Sequence, residues 1–207
     1  MWEIRTREMV VNLKQHTSTV TGLKLLPDDS GVYSSSRDRT ILKWDLRTES
    51  RQYYMTQLMG GINAIDALPS EPKKLISVGQ EKGVSVWVDE ESHPIASIGA
   101  PTGSPPLAEQ FCIVVCNPPG LPLTKDYTIF ATGGTGDCRV RLWKFAPGLL
   151  TPVLLAVGDG HSSTVRSLRF SPDAKQLVSV GDDGACLVWN IFSEEIFPEV
   201  APPDASL

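Results

Sequence analysis

Between residues 160 and 190 the apolar positions come in three short bursts rather than at helical spacing. Leu168 and Phe170 alternate on one side of a first strand, 175–180 makes a second and 185–189 a third. Turn formers separate them, Ser171-Pro172-Asp173 and then Gly181-Asp182-Asp183-Gly184. The polar residues keep a fixed interval: Ser179 follows His161 by 18 residues, Asp183 follows by 4 more and Trp189 by 6 more. His16, Ser34, Asp38 and Trp44 repeat the same 18, 4 and 6. Two identical series in one short chain mark an internal repeat.

The same pattern spreads over the rest of the chain. A first repeat spans about 15–57, with Val20, Leu23 and Leu25 on its first strand and further strands at 32–36 and 40–45. A second, about 58–98, has Ile62, Ile65 and Ala67 at matching places and keeps Ser77 and Trp87, but Leu58 stands at the His place and Glu81 at the Asp place. In a third, about 99–157, Leu107 stands at the His place, and Thr132 lies five residues before Asp137, as if one residue were inserted within 133–136. Extra length falls at 101–106 and 117–127. The fourth repeat is 158–192. Residues 2–6 and 8–13 read as the last two strands of an earlier, partial repeat, and 193–207 as a disordered, acidic, proline-containing tail. No segment has helical periodicity, so the expectation is an all-β chain of four complete repeats and the remnant of a fifth within 1–192.

These features resemble the WD40 family. The matching residues are the opening Gly160-His161, Ser-Pro-Asp after the first strand, the Asp-bearing turn, and the closing Trp44-Asp45 and Trp189-Asn190. Trp2, Trp44, Trp87, Trp143 and Trp189 are spaced by 42, 43, 56 and 46 residues, against about 40–45 for this repeat. The resemblance implies a β-propeller, usually of seven blades. Four blades form an arc with two raw edges, so the chain is expected to be the C-terminal part of a seven-bladed or double propeller, or to be completed by another chain. It also implies that His16, Ser34, Asp38 and Trp44, and likewise His161, Ser179, Asp183 and Trp189, form buried hydrogen-bonded lines. The residue before each turn Asp often contacts partners in the family. Carried over, that residue is Arg37, Gln80, Gly136 and Asp182. The loop at 101–107 would rise on the same face and 117–127 on the other, with Pro101, Pro105 and Pro106 limiting the entropy lost on docking.

Charge and candidate chemistry narrow the function. A net charge of −5 argues against a broad nucleic-acid or anionic-membrane footprint, and no apolar run approaches the length of about 18 residues needed for a membrane span. An intracellular location, cytoplasmic or cytoskeletal, is expected. Cys112 and Cys116 share a strand face about 13 Å apart, too far for a disulfide or a shared metal, so reduced structural thiols are expected and neither metal nor cofactor. A Ser-His-Asp set also invites a hydrolase reading, but the serines sit in apolar strands and the line ends on tryptophan. Gly133-Gly134-Thr135-Gly136 lacks the Lys-Ser/Thr of a phosphate loop and reads as a turn. His93, among Glu90, Glu91 and Ser92, reads as a surface turn rather than a metal ligand. Arg37, Arg39, Lys43 and Arg47 form a local basic cluster that suits an acidic partner or a solvated surface.

The resulting expectation is a non-enzymatic protein–protein interaction scaffold. Within the family the chain is similar to WD-repeat proteins associated with ciliary, flagellar and centriolar microtubules, which implies tubulin or axonemal partners at an axoneme or centriole. The alternatives are an adaptor of a ubiquitin-ligase, RNA-processing or signalling complex and, more remotely, a propeller enzyme. Because the second and third repeats lack the histidine, they are expected to be the softer ones.

Overall fold

The structure is a computed structural model that describes residues 2–26, 29–69, 73–99, 107–116, 127–146 and 150–191. Every regular element among them is a strand. Short runs rich in β-branched and aromatic residues, such as Val84–Val88 (VSVWV), favour the pleated conformation. A two-residue pair opens the chain, β1 (Trp2–Glu3) with β2 (Glu8–Met9), shorter than the two strands expected at 2–6 and 8–13.

The remaining strands form four antiparallel meanders in chain order. The first sheet is β3 (Val20–Leu25), β4 (Gly31–Ser36), β5 (Thr40–Asp45) and β6 (Ser50–Thr56). The second is β7 (Ile62–Leu68), β8 (Lys74–Gly79), β9 (Val84–Val88) and β10 (Ala96–Ile98). The third is β11 (Gln110–Val115), β12 (Thr128–Gly134), β13 (Val140–Phe145) and β14 (Val153–Gly158). The fourth, β15 (Val165–Phe170), β16 (Gln176–Gly181) and β17 (Cys186–Asn190), has three strands among the described residues, where a complete four-stranded repeat was expected.

The sheets stack as blades with β3, β7, β11 and β15 side by side along the inner edge. An apolar layer fills each junction: Tyr33, Ile41 and Met55 against Ile62, Leu75 and Trp87; Ile76, Val78 and Val86 against Phe130 and Trp143; Val114, Ala131 and Leu142 against Val165, Leu168 and Leu177. The indoles of Trp87 and Trp143 are 0 % exposed. Cys112 and Cys116 belong to the third layer, and burial pushes their thiols up to about 12 and about 11. The first three strands of each middle blade are covered on both faces, while Val153, Leu155 and Val157 on β14 stay open. In the first and fourth, Val20, Leu23 and Leu25, and Val180 and Val188, remain exposed.

Inner strands leave one edge of backbone groups without a ladder partner, and buried groups of that kind must be satisfied some other way. Here each inner strand carries a bulge at the same register, at Thr21, Asn63, Phe111 and Arg166. A bulge turns a side chain out of the strand's regular alternation. Thr21 Oγ1 donates to the Ile62 carbonyl (2.7 Å) and Asn63 Nδ2 to the Gln110 carbonyl (2.9 Å), each reaching the next blade. Phe111 is instead covered by the Arg166 guanidinium, 5.0 Å from its ring centroid. Asp66 on β7 serves both neighbours, accepting from Val115 N (2.7 Å) and pairing with Lys24 Nζ (2.5 Å).

Candidate functional site

The β4–β5, β8–β9, β12–β13 and β16–β17 turns emerge on one face of the blade stack, together with the segments that enter β3, β7 and β15. In the first blade, His16 lies against the Asp38 turn, with Nδ1 2.9 Å from Asp38 Oδ2 and Nε2 2.8 Å from Ser34 Oγ. A carboxylate can only accept, which puts the ring proton on Nδ1. The Ser34 hydroxyl then donates to Nε2 and accepts the Trp44 indole N–H (2.7 Å). Thr17 N and Thr40 N also donate to Asp38, at 2.8 and 3.0 Å. In the fourth blade His161, Ser179, Asp183 and Trp189 make the same line at 2.9, 2.7 and 2.8 Å.

The electrostatics follow from these donors. Burial alone would raise the Asp38 carboxyl, but hydrogen bonds from Thr40, Thr17 and His16 outweigh it and hold it below the ordinary range. Backbone N–H groups of Ser162 and Ala185, helped by His161, bring Asp183 down to about 2. The connectivity is that of a Ser-His-Asp set. However, Ser34 and Ser179 are 4 % and 0 % exposed, and each hydroxyl is engaged by imidazole and indole at once. A nucleophile needs an oxygen that a substrate can reach. The arrangement ties the entering segment, two strands and a turn together.

The two middle blades solve the same problem with other residues. Trp87 donates to Ser77 (2.9 Å) and Trp143 to Thr132 (3.0 Å). The residue beyond Thr132 that the spacing exposes is absorbed in the turn, where Gly136 (φ +86) and Cys138 (φ +57) take left-handed conformations; the β12–β13 ladder keeps Thr132 opposite Arg141 as β4–β5 keeps Ser34 opposite Leu42. At the His place of the second blade, Leu58 is 84 % exposed and takes no part. Gln57 fills the role, its Nε2 donating to Glu81, and Ser85 Oγ donates to the other carboxylate oxygen (3.0 Å). In the third blade Leu107 is buried in the apolar layer, and Arg141 pairs with Asp137. Ser85 and Arg141 each stand four residues after the turn acid, where the histidine-bearing blades have Leu42 and Leu187. A polar residue at that offset in the two repeats lacking histidine is the sequence signal that reveals them.

Burial raises the Glu81 carboxyl to about 7, against partial offset from Ser85 and Gln57. Arg141 is 1 % exposed, and its Nη1 has no hydrogen-bond partner among the described residues.

Arg37, Gln80, Gly136 and Asp182 are all exposed on the turn face. Asp182 is taken up by Arg166, whose Nε lies 2.8 Å from both carboxylate oxygens. Gln80 Oε1 accepts Gly61 N (2.9 Å). The expected basic cluster does not assemble. Lys43 turns into the junction with the second blade and pairs with Asp89 (2.7 Å), and Arg47 sits at the β5–β6 turn on the opposite face. Arg37 and Arg39 remain, joined across the junction by Lys82. Pro101, Pro105 and Pro106, residues 117–126 and the tail at 193–207 lie outside the described residues. A groove of about 670 Å³ runs along β14 and β17, lined by Leu155, Val157 and Trp189.

The sequence profile of the WD domain, G-beta repeat family matches residues 7–45 and 152–190, the two segments that carry complete His-Ser-Asp-Trp lines. These two segments are WD40 repeats. The chain is 28 % identical over 193 residues to "Cilia- and flagella-associated protein 52" of Homo sapiens, covering 91 % of this chain and 28 % of that protein. It is 27 % identical over 188 residues to "B-type cell cycle switch protein ccs52B" of Medicago truncatula (89 % and 35 %). It is also 28 % identical over 191 residues to "Nuclear distribution protein nudF" of Aspergillus niger (88 % and 42 %). The chain thus spans between about a quarter and two-fifths of the length of these relatives.

Proposed function

We propose that this chain is a non-enzymatic interaction scaffold whose turn-side face holds other proteins in a cilium- or flagellum-associated assembly. The observation that carries the scaffold reading is the division of labour across the blades. The chemically versatile Ser, His and Asp are consumed in holding strands together, while the neighbouring turn residues Arg37, Gln80 and Gly136 face outward. The ciliary reading is supported by the 91 % coverage of this chain in its match to "Cilia- and flagella-associated protein 52". Tubulin and axonemal proteins are the partners to test. The chain is expected to co-sediment with assembled microtubules, or to be recovered with axonemal proteins when tagged and expressed in ciliated cells. Absence from both fractions, with a regulatory complex recovered instead, would replace this assignment with the second reading. That reading, an adaptor within a regulatory complex, is favoured by the match to a protein named as a cell cycle switch.

A further inference from the structure

The junction between the first two blades carries an unusual loop on the turn face. Leu58 and Met59, 84 % and 75 % exposed, stand side by side at its tip. Large apolar side chains scattered singly on a surface need no explanation. These two are adjacent and sit on a backbone whose carbonyls at 58–61 all accept hydrogen bonds. Gln57 N donates to the Arg39 carbonyl (3.1 Å), and Gln57 Nε2 lies 3.0 and 2.7 Å from the carbonyls of Met59 and Gly60. Arg39 Nη1 donates to the Leu58 carbonyl (3.2 Å), and Gln80 closes the loop from the other side through Gly61. Gly60 has φ +71, and a side chain there would meet Glu81 N at 2.7 Å. A loop held this way has already lost the entropy that docking would otherwise remove.

The charges around it share one sign. Arg37 and Arg39 are exposed on the β4–β5 turn and Lys82 on the β8–β9 turn, the two turns that bracket the loop. Among the described residues none of the three is ion-paired, and the nearby carboxylates are engaged, Asp38 by His16 and Glu81 by Gln57 and Ser85. This local positive ring contrasts with the chain's net charge of −5.

From this juxtaposition we propose that Leu58 and Met59, ringed by Arg37, Arg39 and Lys82, form a docking site for an acidic peptide segment of a partner protein that carries an apolar side chain. The apolar pair supplies the desolvated centre and the cations supply orientation and encounter rate, the usual division within an interface. Aliphatic side chains favour a protein segment over single-stranded RNA, which stacks on aromatic platforms. The inference rests on the scaffold reading and gives it a partner chemistry.

The test is fluorescence anisotropy with the full 207-residue chain. Four labelled probes are compared: a glutamate-rich peptide with two leucines, the same peptide with serines for the leucines, the same with lysines for the glutamates, and a single-stranded RNA. The leucine-bearing acidic peptide is expected to bind, and each other probe to bind about tenfold more weakly or less. L58S/M59S and R37E/K82E should each weaken the first probe by about tenfold or more at unchanged thermal midpoint, the second pair with a reduced salt dependence. Equal binding of the serine peptide or of RNA, or indifference to both double variants, overturns the site. Partner proteins co-purified with the native chain that all remain with L58S/M59S refute the site and leave the scaffold reading standing. Loss of every co-purified partner from the native chain itself counts against the scaffold reading, and the peptide assay still decides the site.

Discussion

Gln57 donates its side-chain amide to Glu81 across the junction of the first two blades, and the same nitrogen lies within hydrogen-bond reach of two loop carbonyls. Glu81 is therefore a carboxyl taken out of water with two neutral donors and no cation. Its proton is held up to about 7 in the folded chain and released near 4.5 when unfolded. The folded state binds more protons between these values, so stability falls as pH rises through that window. Above about 7 both states are ionised, the slope disappears and the full penalty remains. Urea midpoints measured across this range should decline by the equivalent of about 1–2 kcal/mol, given a partly wet site, and Glu81→Gln should remove the decline. A midpoint that rises over the same interval in the native chain would disprove the assignment. Asp38 and Asp183 act in the opposite direction. Their carboxyls are held low, so what they contribute is present above about 3.8 and is lost as pH falls below it, toward about 2 for Asp183.

Serine deletions should rank by how many groups each hydroxyl serves. Ser34 and Ser179 each satisfy an imidazole and an indole, whereas the hydroxyl of Ser77 takes the indole of Trp87. Ser34→Ala and Ser179→Ala leave two polar groups without partners and should lower stability by about 2–3 kcal/mol, Ser77→Ala by about 1 kcal/mol. Equilibrium denaturation of the three variants checks the order. Equal losses would mean that the imidazole finds another donor.

Asp137 and Arg141 should show a marked asymmetry. Removing the carboxylate strands a guanidinium that is almost wholly buried, so Asp137→Ala should cost about 3–5 kcal/mol. Arg141→Leu leaves a carboxylate that still reaches water and restores the residue type found at this register in Leu42 and Leu187, so its loss should be smaller. The double variant should be more stable than Asp137→Ala alone. A double-mutant cycle reads the coupling directly, and additivity of the two single losses would show that the pair does not act as a unit.

Much of this is written in the chain, and what is hidden has a common cause. Period-two alternation with turn clusters places β5 at Thr40–Asp45, and the 18, 4 and 6 spacing brings together the residues of both complete lines. Gln57 escapes the spacing because it precedes Ser77 by 20 residues rather than 18. Lys43, Asp66 and Arg141 look in sequence like solvated strand positions. Their partners Asp89 and Lys24 belong to neighbouring blades, and Asp137 to a turn, so only the packing reveals that these charges are covered. The bulges at Thr21 and Asn63 carry no local mark beyond one polar residue in an apolar strand.

Local stability should follow coverage rather than the presence of histidine. From sequence, the second and third repeats were expected to be soft because their polar lines lack His. The structure places them in the interior of the stack. Strands β8 and β12 are buried along nearly their whole length, while β16 and β17 alternate between covered and open positions and Trp189 is only half-buried. Opening β12 exposes two apolar layers at once, whereas opening β17 exposes one, and the free energy of local opening scales with what is uncovered. The substitutes Gln57 with Ser85, and Arg141, also keep the turns of these blades tied to their strands. Native-state hydrogen exchange should therefore find the slowest amides in β8 and β12 and faster ones in β16 and β17, despite the complete His161 line in the fourth blade. Slower exchange at Val178 and Val188 than at Ile76 and Phe130 would show that the histidine line, and not burial, governs where this stack opens.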